Sequence, residues 1–152
     1  MKRQLLCMAA LACLLAFVGQ TPADQGERYD NTETVPASQL RGTWIAVSME
    51  QGGRKENLPN GVEMKFTFDK GKLAVNEGGR ATVGSYITND ARNPKEIDLI
   101  PPKDLKGAEV IKGIYRVDGD TLKLSFTRGG NRPKGFNPKV NESGVITFKR
   151  KK

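Results

Sequence analysis

Few residues in this chain could do chemistry, and their spacing argues against most of the reactions they suggest. His is absent, and both cysteines, Cys7 and Cys13, lie in one apolar N-terminal run. Without an imidazole no Ser can be activated as in a catalytic triad, and there is no Gly-x-Ser-x-Gly. Nitrogen- and sulfur-based metal sites and thiol nucleophiles need side chains that the remainder of the sequence lacks. Carboxylates are left. Asp118 and Asp120 flank Gly119 and read as a hairpin turn, with Asp bonding to nearby backbone, rather than as a calcium loop. Glu96 and Asp98 alternate with Ile97 and Leu99 and read as the solvent face of a strand. Gly78-Gly79-Arg80 and Gly129-Gly130-Asn131 lack both the Gly-Lys-Ser/Thr ending and the strand-to-helix setting that aim N–H groups at a phosphate. The single Arg-Gly-Gly in the segment from Arg128 to Lys134 reads as a loop and not as a nucleic-acid contact. The expectation is a protein that is not an enzyme, with no metal, no cofactor and no specific nucleic acid.

The N-terminus carries a different signal. Lys2 and Arg3 precede 14 uncharged, largely apolar residues, 5–18, which end at Gly19-Gln20-Thr21-Pro22-Ala23. A helix needs about 20 apolar residues to span a bilayer, so this run is too short for an anchor and has the length of a signal peptide. It is apolar on every side, unlike a surface helix of a fold. The small residues Thr21 and Ala23 place cleavage after Ala23. A lipoprotein would need Leu, not Ala10, three residues before Cys13. The expected organisation is a signal peptide over 1–23, a flexible acidic linker over 24–38 and one folded domain over 39–152. The destination is periplasm or medium, with no transmembrane segment and no thiol in the mature chain.

The linker holds Asp24, Glu27, Asp30 and Glu33 against Arg28. From residue 39 onward 22 basic residues face 13 acidic ones. That excess, ending in Lys149-Arg150-Lys151-Lys152, reads as a solvated surface with a frayed tail, or as a docking face for an anionic envelope polymer or partner protein.

The domain itself shows period-two patterning broken by Gly, Asn, Asp and Pro. Val62, Met64, Phe66 and Phe68 alternate with Glu63, Lys65 and Thr67, which puts all four apolar groups on one face. Asp69-Lys70-Gly71 turns the chain into a second strand, and Asp118-Gly119-Asp120 joins another clean pair. Strands are expected over 40–50, 62–68, 72–76, 82–88, 95–100, 109–117, 121–126 and 143–150. In the fourth, Val83 and Ile87 share one face and Tyr86 the other. Pro101-Pro102 ends the fifth. Eight short strands in sequence predict an all-β, antiparallel up-and-down barrel, which removes the exposed edges that invite aggregation.

Gly42-Thr43-Trp44 resembles the Gly-x-Trp signature of lipocalins. Taken in order with Met64 to Phe68, Ile97-Asp98-Leu99, the segment from Gly113 to Leu122, and Arg132-Pro133 with Phe136, it resembles a lipocalin-like domain family of exported planctomycete bacterial proteins without an assigned function. The resemblance spans residues 40–150. It implies a lipocalin-like barrel plugged by Trp44 and, by analogy, an interior site for a small apolar molecule. The usual lipocalin disulfide is missing.

Two functions are therefore in view. In the first, the exported barrel shelters a small hydrophobic or amphipathic ligand among Phe66, Phe68, Val83, Ile97, Leu99, Tyr115, Leu124, Phe126 and Phe148. In the second, those residues form a solid core and the basic surface does the binding. Export itself has a direct check: intact-mass measurement of the secreted protein should give Asp24 as the first residue.

Overall fold

The computed structural model describes residues 38–56, 58, 63–127, 130–137 and 143–152. The expected signal peptide, the linker up to residue 37, Val62 and the Arg128-Gly129 pair lie outside the described residues. A 3-10 turn, Ser38–Leu40, leads into nine strands: β1 (Gly42–Gln51), β2 (Arg54–Glu56), β3 (Met64–Asp69), β4 (Lys72–Glu77), β5 (Arg80–Asn89), β6 (Lys95–Ile100), β7 (Ile111–Asp118), β8 (Thr121–Thr127) and β9 (Ser143–Arg150). Neighbours from β3 to β9 pair antiparallel in chain order, and β1 pairs with both β3 and β9. The sheet closes into the eight-stranded up-and-down barrel that the alternation predicts. The ninth strand, β2, is an addition: it pairs with the last three residues of β1, beyond the stretch of β1 that meets β3.

Local chemistry sets the register. The β4–β5 hairpin turns through Gly78 and Gly79, both at positive φ (54° and 88°), the pair of left-handed conformations that a two-residue hairpin loop requires. In β1 the pairing with β9 slips by one residue between Ala46 and Ser48. This bulge moves the inward positions from Trp44 and Ala46 to Met49 and leaves Val47 on the outside, 44% exposed.

One end of the barrel is filled solid. Trp44 is fully buried and donates its indole N–H to Leu40 O at 2.8 Å. Phe68, Phe148 and Leu122 are also fully buried. Phe66 lies 4.9 Å from Phe148 and Phe68 meets Tyr86 edge-on at 5.0 Å, ring centroid to centroid. Each such side chain contributes about 1.5–3 kcal/mol by leaving water. Arg150 lies over the Trp44 ring at 4.0 Å, donates to Arg41 O and Gln39 O at 2.8 and 3.0 Å, and approaches Asp120 at 3.4 Å. The basic terminus is thus not a frayed tail throughout. Lys149 and Arg150 belong to β9, Lys149 donates to Thr121 Oγ1 at 2.6 Å, and only Lys151 and Lys152 follow the strand.

A second departure concerns the outer face. Ile114, Ser125 and Val145 form one row of cross-strand pairs that point out of the barrel, yet all three are buried. The segment 130–137 folds back over them as a strap. Arg132 fastens it, donating to Asp98 Oδ1 and Gly113 O at 2.6 Å each and to Ile97 O at 3.2 Å, with Glu96 at 3.7 Å. Ser125 donates to Gly135 O at 3.3 Å, and Arg116 covers the Phe136 ring at 5.3 Å. Glu96 and Asp98 accordingly do not face open solvent, because a guanidinium fixed between them excludes much of the water. Replacing Arg132 by Ala strands two half-buried carboxylates and two carbonyls, at a cost of about 2 kcal/mol. Urea unfolding should show that loss, with faster amide exchange along β6 and β7.

Candidate functional site

Away from the Trp44 plug the interior is not full. An apolar cavity of about 90 Å³ opens toward the end of the barrel where β4 and β6 finish and β5 and β7 begin. Phe66, Leu73 and Ile146 bound it on the side of the packed core, while Val75, Leu99 and Phe126 contribute its walls. Glu77, Thr82, Ile111, Pro101 and Pro102 complete the lining, with Gly84 and Ile100. The strand pattern explains these residues. Leu73, Val75 and Glu77 alternate along β4, and Leu73 pairs with Phe68, so all three share the inward phase.

Gly84 has a specific role here. A Cβ at this position would lie 2.3 Å from Ile100 O and 3.4 Å from Pro101 Cα. Lacking that atom, β5 lets the end of β6 lean over it, and Pro101-Pro102 reaches the cavity. Phe126 uses a similar gap, since its ring lies 3.2 Å from where a Gly144 Cβ would be.

The nine sequence-predicted interior residues divide. Phe66, Leu99 and Phe126 line the cavity. Phe68, Ile97, Tyr115, Leu124 and Phe148 are buried in the core and line no part of it. Val83 is a correction: it is 56% exposed on the outer face. The pairing of Leu73 with Gly84 and Val75 with Thr82 fixes β5 so that Thr82, Gly84, Tyr86 and Thr88 turn inward, which forces Val83 and Ile87 out. Trp44 lies in the closed end, apart from the cavity. Sequence reading missed Leu73, Val75, Glu77 and Ile146. The phase of Leu73 opposite Phe68 was the available signal, because a two-residue turn at Lys70-Gly71 dictates it.

Tyr115 does something other than line a cavity. Its hydroxyl donates to Asp90 Oδ1, and Lys95 lies 3.6 Å from the other oxygen of that carboxylate. Burial first, and the Asp90 hydrogen bond second, push the phenol well above the ordinary tyrosine range.

Among the described residues no group of His, Cys, Asp and Glu is placed to hold a metal ion, and no helix is long and apolar enough to cross a membrane. No family model, curated protein or solved structure matches the chain. What the site can do therefore rests on its own geometry: it can take apolar groups of small size through one open end.

A pH dependence follows from Tyr115. An unfolded tyrosine loses its proton near pH 10, whereas the folded one retains it, so the native state binds more protons above that pH. The unfolding free energy should fall as pH rises past about 10, by up to ~1.4 kcal/mol per pH unit from this group. Tyr115→Phe should lose part of that slope in alkaline urea titrations.

Proposed function

We propose that this chain is an exported, lipocalin-like binding protein whose barrel holds the apolar part of a small molecule. The observation that carries this reading is the division of the interior. One end is filled by the fully buried Trp44, Phe68 and Phe148, while the other keeps an apolar space that opens to solvent. An unfilled apolar volume loses dispersion contacts and costs stability, so its retention at one end supports a binding role. Glycines at 84 and 144 keep the neighbouring backbone and the Phe126 ring close without filling the space.

Size limits the ligand. A dry cavity of about 150 Å³ holds benzene, so about 90 Å³ suits about three to four carbons, or the tip of a longer chain whose remainder leaves through the mouth. A contact this small supports a Kd on the order of 0.1–1 mM for the buried part alone. Retinoid-sized molecules do not fit inside as the side chains stand. Removal of apolar surface from water drives such binding, so it should be nearly indifferent to ionic strength.

The test is a methyl-detected NMR titration of the mature protein with 1-hexanol. Shifts should concentrate on Leu73, Val75, Leu99, Ile111 and Ile146 and leave Leu122 and Leu124 still. Val75→Phe, which fills the space, should abolish them while the β-sheet circular dichroism is retained. Equal, unsaturable shifts over the whole surface would overturn the reading.

A further inference from the structure

The cavity is apolar throughout except at Glu77 and Thr82, and Glu77 is the one charged side chain in its lining. Glu77 occupies the last position of β4, in phase with the inward residues Leu73 and Val75, and it is half-buried at the rim. Its cross-strand partners are Met64 on one side and Arg80 on the other. Arg80 is exposed, and no ion pair joins it to Glu77. Among the described residues no hydrogen bond or ion pair engages the Glu77 carboxylate. Six acidic groups among the described residues have a basic partner, Asp69 with Arg41, Glu63 with Lys65, Asp90 with Lys95, Glu96 and Asp98 with Arg132, and Asp120 with Arg150, whereas Glu50, Asp104, Glu109 and Asp118 join no ion pair but also line no part of the cavity. On a chain where basic residues outnumber acidic ones, a carboxylate left unmatched at the edge of an apolar space stands out.

We propose that Glu77 selects the head group of the ligand, and that the cavity takes small amphipathic amines in preference to alcohols and against carboxylic acids. This rests on the binding reading above and extends it to ligand class. The apolar tail enters between Phe66, Val75 and Leu99, and the ammonium group stays at the rim, where it donates to Glu77 while remaining in contact with water. Thr82, facing Val75 across the β4–β5 pair, supplies a hydroxyl that accepts a further ammonium N–H. A carboxylate head would meet Glu77 as a like charge at the same place. Because the rim is wet, the charge contact adds a modest increment of about five- to tenfold in affinity, the scale of a half-exposed charge-assisted hydrogen bond.

The experiment compares hexylamine, 1-hexanol and hexanoate on the mature protein at pH 7 and low salt, by the same methyl shifts. Hexylamine should bind about five- to tenfold tighter than hexanol, with hexanoate weakest. Glu77→Gln should remove most of the amine's advantage over the alcohol and raise hexanoate relative to both. Salt at 0.5 M should shrink the amine's advantage without touching hexanol. Equal affinity of all three in the native protein, or tighter binding of hexanoate, overturns the head-group assignment and leaves the binding reading intact. If none of the three saturates, the cavity reading fails and this proposal with it.

Discussion

Closure of the sheet through β1 is the constraint on which the remaining features depend. This strand gives one edge, from Trp44 to Gln51, to β9 and divides the other between β3 and β2, so among the described strands it is the one with three partners. A sheet of this length left open would expose unpaired N–H and C=O groups along two edges. The closing strands must also agree in phase, since a slip of one residue exchanges the inner and outer faces. The bulge between Ala46 and Ser48 supplies that adjustment: Trp44 and Ala46 point inward opposite Arg150 and Phe148, and Met49 does so opposite Ile146. Trp44 can plug the barrel because the strand bearing it is held from both sides.

From that closure comes the unequal use of the interior. Aromatic rings fill the end near Trp44, where Phe66, Phe68, Phe148 and Tyr86 interlock at centroid distances of 4.9 to 6.3 Å. Toward the other end most inward residues are aliphatic or small, with Val75, Thr82, Gly84 and Gly144 among them and Phe126 and Glu77 the larger exceptions. Volume that rings occupy below is left unoccupied above. The same gradient places the polar groups of the lining, Glu77 and Thr82, nearer the mouth than the floor.

Much of this was legible in residue order. Alternation gave the eight barrel strands, because a half-wet strand must separate apolar from polar side chains at period two. It failed in β5, where Val83 and Ile87 are the more aliphatic set but lie outside, and Thr82, Gly84, Tyr86 and Thr88 lie inside. There the hairpin register overrode hydrophobicity: Gly78-Gly79 permits one alignment, and Gly84 must face the end of β6. The short strand β2 has no apolar alternation to announce it, being Arg-Lys-Glu. The role of Arg132 was equally hidden, since a loop arginine acquires its partners, Glu96 and Asp98, only when a strap some 35 residues later in the chain folds back onto them. Individual wall residues were partly readable by phase, whereas the cavity itself was not, because a void is a property of packing and leaves no mark in composition.

The strap also makes the wall of the barrel mechanically uneven. Over β6 to β9 it adds a second layer, riveted by a guanidinium to two carbonyls and a carboxylate. Across β4 and β5 the outward positions Lys72, Ala74, Asn76, Ala81, Val83 and Ser85 have none of the strap's bonds across them. The single-layered flank bears Val75, Glu77, Thr82 and Gly84 on its inner surface, so one layer of strand separates that side of the cavity from solvent.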